Sequence, residues 1–140
     1  MNVCERDFFI QLYELMEKPK LFVDLGKNLT RYFHRNDYRN IAVYGVGKLG
    51  KLILRNIDVT QLESICTVDE NKESRFENIE TVTIKELVAR EKLDLVLVTP
   101  LLDYPQIEAQ ICSMREIPVI SAKELMCDMI DQSLFPDCGN

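Results

Sequence analysis

The chain has 140 residues, of which 46% are hydrophobic and 29% charged, a composition typical of a globular domain rather than of a disordered chain. The formal net charge of the chain is −6 at pH 7. The chain therefore lacks the excess of basic residues that neutralises nucleic-acid phosphates, and no nucleic-acid partner is expected. No apolar run approaches the roughly 20 residues that cross a bilayer, and the first residues lack the order of a secretory signal, which predicts a cytoplasmic protein with no membrane partner.

Two amphipathic helices are predicted in an N-terminal helical appendage, residues 1–37. Apolar residues recur at helical spacing over about residues 5–18 until Pro19 interrupts the pattern, and again over about residues 21–34. These side chains present too much apolar surface to remain in water, so we expect them to cover a sheet edge or, preferably, to form a homodimer. The residues concerned are Phe8, Phe9, Leu12, Leu15, Phe22, Leu25 and Phe33.

The hydrophobic period changes after residue 38, and the rest of the chain predicts alternating strands and helices. Residues 41–44 form a short continuous apolar run, typical of a parallel strand that is buried on both faces. We therefore expect an α/β fold in residues 38–132, a Rossmann-like parallel sheet of about five strands with helices on both faces, followed by a loose tail in residues 133–140. Strands are predicted near 41–45, 64–68, 81–83, 94–99 and 118–120, and helices near 48–57, 84–92, 104–115 and 122–131.

A glycine-rich turn follows the first predicted strand and carries the main functional signal. Gly45, Gly47 and Gly50 form a G-x-G-x-x-G sequence that opens a helix, and Asp69 ends the next strand. Gly45 would allow the tight turn, Gly47 would let a pyrophosphate approach the backbone, and Gly50 would let the helix pack on the strand. Asp69 stands near the spacing at which a carboxylate accepts hydrogen bonds from a ribose, which favours NAD over NADP.

The predicted nucleotide site lies along one rim, because ligands of parallel sheets bind outside the carboxyl ends of the strands. The free amides at the start of the helix would face the anion there. The residues assigned to the site are Gly45, Gly47, Lys48, Leu49, Gly50, Asp69, Thr99 and Pro100.

Other interpretations of the same residues remain open. The glycines could only tighten a strand-to-helix turn, with Asp69 and Asn71 capping a loop. A phosphate loop of nucleoside triphosphatases is disfavoured, because Leu52 stands where the magnesium-binding Ser or Thr belongs. No catalytic or metal site is assigned: His34 lies in the appendage, Tyr104 is expected to pack, and the five cysteines form no C-x-x-C pair and are interpreted as reduced thiols.

Three segments of the chain resemble the small Rossmann-like domains found with bacterial surface-polysaccharide and sugar-nucleotide biosynthesis proteins. The resemblance covers roughly residues 41–131 and departs from the pattern at residues 73–80, where a glycine-containing hairpin is usual. It implies that Gly45, Gly47, Gly50 and Asp69 contact a nucleotide, with Thr99 lining the same crevice. The segments are Ile41-Ala42-Val43-Tyr44-Gly45-Val46-Gly47-Lys48-Leu49-Gly50, Val68-Asp69-Glu70-Asn71-Lys72 and Val98-Thr99-Pro100.

The leading hypothesis is a nucleotide-binding module, with NAD or a nucleotide-sugar in the crevice, that serves sugar-nucleotide or surface-polysaccharide metabolism and is not a complete enzyme by itself. One alternative is a small NAD-dependent oxidoreductase or epimerase that completes its site across a dimer, with an acid or base from Tyr104, Lys48 or His34. The other is a ligand-free interaction domain that presents the N-terminal helices to a partner.

Overall fold

The computed structural model describes residues 19–45, 47–71, 76–99, 104–122 and 124. Helices and strands alternate along these residues, and a short 3-10 helix, Val59–Gln61, lies between α2 and β2. In chain order the elements are α1 (Pro19–Arg35), β1 (Asn40–Tyr44), α2 (Lys48–Asn56), β2 (Ser64–Val68), β3 (Glu80–Val82), α3 (Ile84–Val88), β4 (Leu95–Val98), α4 (Tyr104–Met114) and β5 (Val119–Ser121).

The strands form one parallel sheet in the order β3-β2-β1-β4-β5, which confirms the predicted α/β fold. Each strand lies within about one residue of its predicted position. The continuous apolar runs of β1 and β4 mark strands that are covered on both faces. In the central strand, Ile41, Ala42 and Val43 are all buried. No helix among the described residues combines the length and apolar character needed to cross a membrane.

Helices pack on both faces of the sheet, since alternate strand residues belong to different core clusters. Ile41, Leu95 and Leu97 pack in one cluster with residues of α1 and α2. The intervening positions, such as Ala42 and Val96, pack in another cluster with residues of α3 and α4. The sheet therefore stands between two helical layers, and its carboxyl edge is left for loops.

Helix α1 is built into the core of the α/β domain. Leu25, Leu29 and Phe33 recur along one side of the helix and are buried in the cluster that contains Ile53 of α2 and Leu97 of β4. Leu25 and Phe33 are thus covered within the chain and do not supply the exposed surface on which a dimer was expected. The first predicted helix, with Phe8, Phe9, Leu12 and Leu15, lies outside the described residues.

Helix α3 is shorter than the predicted span of 84–92. It begins with a capping box, in which Thr83 accepts from the amide of Glu86 and the Glu86 side chain accepts from the amide of Thr83. It ends at Val88, where the guanidinium group of Arg115 donates to the backbone carbonyls of Val88 and Arg90. A cation at the carboxyl end satisfies carbonyl groups that would otherwise lack partners. The predicted helix near 122–131 falls mostly outside the described residues, as does the tail at 133–140.

The segment before β3 makes a compact turn. Phe76 and Ile79 form an isolated antiparallel bridge, with the left-handed residue Glu77 between them at a φ of 51°. Phe76 is buried beside Val43 and Leu54, so this turn closes one end of the core. The third strand then begins at Glu80, one residue before its predicted start.

The amino edge of the sheet is held by the carboxylate of Asp94. Its Oδ2 accepts hydrogen bonds of 2.8 Å from the backbone amides of Arg39 and Asn40, and one of 3.2 Å from the Asn40 side chain. Partial burial acts to raise the pKa of Asp94, but the hydrogen bonds from Arg39 and Asn40 outweigh it, and the pKa lies below its usual value. Asp94 therefore joins the start of β1 to the approach to β4.

Replacing Asp94 by alanine should lower the free energy of unfolding by about 1–2 kcal/mol at pH 7, a value reduced for the solvent exposure of the carboxylate. A carboxylate with a lowered folded pKa stabilises the fold above its unfolded pKa and loses that effect as the pH falls through its folded pKa. The difference between wild type and variant in urea unfolding should therefore shrink below about pH 4. Asp24→Ala, which removes an exposed carboxylate of α1, is the control. A loss that is equal for the two variants would contradict the assignment.

Candidate functional site

The carboxyl ends of β1, β2 and β4 bring three predicted site residues to one edge. Tyr44, the last residue of β1, pairs with Val68 of β2 and with Val98 of β4. The residues that directly follow these strands are Gly45, Asp69 and Thr99. Strand β1 lies between β2 and β4, and each pair of adjacent strands is about 4.8 Å apart. The chain continues from β1 to β2 on one side, whereas β4 lies on the other. This is the topological switch point at which parallel sheets bind ligands.

Gly45 makes the sharp turn out of β1. Its φ is 97°, in the left-handed region that a side chain strongly disfavours, and its amide donates to the carbonyl of Val68 at 3.3 Å. The fold of this turn is therefore sufficient to explain glycine at position 45.

Gly50 lets α2 pack against that turn. A Cβ at this position would stand 2.4 Å from the carbonyl oxygen of Gly45 and 3.5 Å from Oγ1 of Thr99. The first distance is far inside van der Waals contact and involves backbone, which cannot move aside cheaply. Glycine at position 50 is thus also explained by packing within the chain.

Gly47 differs from its two neighbours in the motif. It occupies the N-cap position of α2 with φ −81° and ψ −168°, which is extended backbone open to any residue. A Cβ built there would meet no atom of the described residues within 4 Å, and the residue is exposed. Nothing in the described packing or backbone geometry requires a glycine at this position.

The first turn of α2 brings backbone amides to the same edge. Lys48 begins the helix and Leu49 follows, but the Leu49 side chain is buried in the core, so only its backbone can face a ligand. The first amides of a helix have no partner within the helix, and Gly47 supplies no side chain to cap them. They form a partial positive charge at the edge of the sheet. Pro100 lies outside the described residues.

Thr99 supports the glycine turn from β4. Its hydroxyl lies 2.8 Å from the carbonyl oxygen of Tyr44 and 3.1 Å from that of Gly45, and donates to them, while its amide bonds the Tyr44 carbonyl at 3.0 Å. The residue is only 5% exposed. Thr99 therefore shapes the crevice by fixing Gly45, and its hydroxyl proton is already used within the chain.

Asp69 lies beside the glycine turn at the end of β2. Its amide donates to the carbonyl of Val82 at 3.0 Å, which sets the backbone, and its Oδ1 accepts from the amide of Asn71 at 2.9 Å. The loop-capping contact considered from the sequence is thus present. The residue is half-buried, so the carboxylate remains accessible from the edge.

Of the three candidate acids and bases of the enzyme alternative, Lys48 begins α2 at the glycine turn, and Tyr104 and His34 are placed elsewhere. The Tyr104 hydroxyl contacts Glu108 and lies 3.1 Å from the carbonyl of Val119, beside β5. Burial and the neighbouring Glu108 carboxylate raise the pKa of Tyr104, so it is a weak acid. His34 lies near the carboxyl end of α1, beside Asn56 at the far end of α2 from Gly47. Neither side chain is brought to the glycine turn.

Comparison with curated proteins and with solved structures finds no match. One family model matches, C2185-like, N-terminal, over residues 37–126. That range holds all five strands of the described sheet together with Gly45, Gly47, Asp69 and Thr99. Since the match covers more than half of the chain, the chain belongs to the C2185-like family through the N-terminal domain of that family.

Proposed function

We propose that the glycine turn at the end of β1 binds the pyrophosphate of a nucleotide, either NAD or a nucleotide-sugar. The chain acts as a nucleotide-binding module in sugar-nucleotide or surface-polysaccharide metabolism, the setting that its sequence resemblance implies. The observation that carries the proposal is Gly47, where neither the backbone angles nor the packing of the described residues requires a glycine.

The N-cap position of a helix normally favours a residue that bonds the free amides. Ser, Thr, Asp and Asn stabilise a helix at this position, and glycine there costs a few tenths of a kcal/mol by comparison. Gly47 has the extended backbone suited to such a residue but provides no side-chain cap. A phosphate group that approaches the first turn of α2 would occupy the place of the cap and accept from the same amides.

The carboxylate of Asp69 supports an adenosine ribose beside the phosphates. It directly follows β2, the strand next to β1, where a diol can donate to a charged acceptor. The same negative charge would repel a ribose 2′-phosphate, which favours NAD over NADP.

The two alternatives account for less of the site. A ligand-free interaction domain explains Gly45 and Gly50 through backbone geometry and packing, but the described residues give no steric or backbone requirement for glycine at position 47. An oxidoreductase or epimerase needs an acid or base at the crevice. Tyr104 is engaged with Glu108 and Val119, and His34 lies at the far end of α2, so Lys48 alone of the three candidates stands at the glycine turn.

A melting-temperature screen of the full chain tests the proposal. The panel contains NAD, NADP, a UDP-sugar and coenzyme A, with adenosine as the control that lacks phosphate. A ligand at a hundred times its dissociation constant adds about 2.7 kcal/mol to stability, which corresponds to a rise of roughly 10 °C for a domain of this size. If none of the four raises the melting temperature at millimolar concentration, the interaction-domain alternative replaces the proposal.

Asp69→Ala should weaken binding of an adenine dinucleotide about tenfold to a hundredfold, because it removes hydrogen bonds to a charged acceptor worth roughly 1.5–3 kcal/mol. Glu70→Ala is the matched control, since it removes the same charge from the exposed neighbouring residue. Isothermal titration calorimetry of both variants separates the local hydrogen bonds from the general effect of charge. An Asp69→Ala variant that binds as tightly as Glu70→Ala would remove Asp69 from the site.

A further inference from the structure

A second cleft lies near the carboxyl ends of α1 and α2, away from the glycine turn. Its volume is about 370 Å³, within the range of small-molecule sites. Asn56 and Asp58 line one side, where α2 ends, and α1 lines the other. Helix α2 has 9 residues, so at about 1.5 Å per residue this cleft stands roughly 13 Å from Gly47.

Basic side chains of α1 dominate the cleft. Lys27, Arg31 and Arg35 are four residues apart and share one side of the helix, and His34 lies beside them. Thr30 and Gln61 add neutral polar groups, and Asp58 is the single carboxylate among the described residues that line the cleft. A local excess of positive charge in a chain with a net charge of −6 marks this surface as distinct from the rest.

The carboxylate of Asp58 is hydrogen-bonded within its own loop. Its Oδ1 accepts from the amide and the hydroxyl of Thr60 at 3.1 and 2.5 Å, and its Oδ2 accepts from Nε2 of Gln61 at 3.1 Å. This carboxylate caps the 3-10 helix rather than pairing with α1. Within the described part of the chain, the salt bridges involve neither Lys27 nor Arg31.

From this arrangement we propose that the cleft between α1 and the end of α2 is an anion site for a small phosphorylated molecule, separate from the nucleotide site at Gly47. Arg31 and Arg35 offer planar donor groups that match phosphate oxygens, and Lys27 adds a point charge. Thr30, Asn56 and Gln61 provide hydrogen-bonding groups for the uncharged part of such a molecule.

A solvated helix face is the competing explanation, because basic residues in the last turn of a helix also stabilise its dipole. His34 and Arg35 lie in that turn, but Arg31 and Lys27 stand one and two turns earlier, respectively, where the effect has faded. The position of Lys27 and Arg31 along the cleft therefore favours a ligand site.

Titration of the full chain with inorganic pyrophosphate in about 0.1 M salt, followed by amide NMR shifts, tests the inference. We expect saturable shifts in residues 27–35 and 56–61. We expect Arg31→Gln to weaken the binding of pyrophosphate at the cleft about tenfold or more. Glucose 6-phosphate should shift the same amides, whereas glucose should not.

Two control variants decide the outcome. Lys85→Gln removes one positive charge from an exposed position of α3 and should leave pyrophosphate binding at the cleft unchanged. Gly47→Asp should also leave it unchanged, which separates this inference from the proposed nucleotide site. Shifts confined to residues 45–51, no saturable shifts at the cleft, or equal weakening by Lys85→Gln and Arg31→Gln would each overturn the inference.

Discussion

Gly47→Asp is expected to abolish binding of the nucleotide that the melting screen identifies, while the fold stays intact. The new carboxylate would stand where the phosphate must approach the first amides of α2, adding charge repulsion to the loss of space. It would also cap those amides, so the stability of the unliganded chain should rise by a few tenths of a kcal/mol or stay unchanged. A side chain at residue 47 would enter open space, so the fold can accept the substitution that the ligand cannot.

Gly47→Asn is the matched control, because asparagine has the same shape and caps as well but carries no charge. We expect it to weaken binding less than aspartate does. Calorimetry measures the affinity, and urea unfolding without ligand measures the stability of each variant. Tight nucleotide binding by Gly47→Asp would place the ligand elsewhere and leave the glycine turn as a purely structural feature.

Gly26→Ala is expected to destabilise the fold by about 2–3 kcal/mol, in spite of the better helix propensity of alanine. The contact between α1 and α2 is very close at this residue, where a Cβ would stand 2.0 Å from the carbonyl oxygen of Asn56 and 2.5 Å from its carbon. Both atoms are backbone, so the helices would have to separate. That separation would also strain the hydrogen bond of 3.1 Å from the Asp58 amide to Thr30.

Lys27→Ala, at the exposed neighbouring position of α1, is the control for the change in helix propensity. Urea unfolding at one pH and temperature compares the two variants with the wild type. An equal or higher stability of Gly26→Ala would show that the helices are not held at this distance in solution.

The positions of the strands along the chain were predictable because the central strands contain apolar runs, such as those of β1 and β4, closed by a turn or a polar group. The burial of α1 was not, although its apolar side was recognised. An amphipathic pattern shows that Leu25 and Phe33 must be buried, but it does not show whether a sheet of the same chain or a second chain buries them. Gly26 gave no local signal, since its role depends on Asn56, thirty residues later in the sequence.

At the candidate site, the sequence predicted which backbone positions meet at the edge but not what their side chains do. Spacing placed Gly45, Asp69 and Thr99 together because parallel strands end at the same edge. The direction of the Thr99 hydroxyl, toward the carbonyls of Tyr44 and Gly45, depends on the path of the turn itself. The basic cleft was also missed, because its residues come from α1 and from the loop after α2 and share no motif.

The placement of β1 at the centre of the sheet sets an order of events during protein synthesis. Asn40 contacts Ser64 of β2 across 24 positions, but its contact with Asp94 spans 54. At about 5–20 residues per second, the ribosome needs several seconds more to deliver β4 after β2. Throughout that interval one side of β1 has unpaired amides and carbonyls beside apolar side chains, the kind of surface through which nascent chains associate. We therefore expect slow elongation between β2 and β4 to lower the soluble yield.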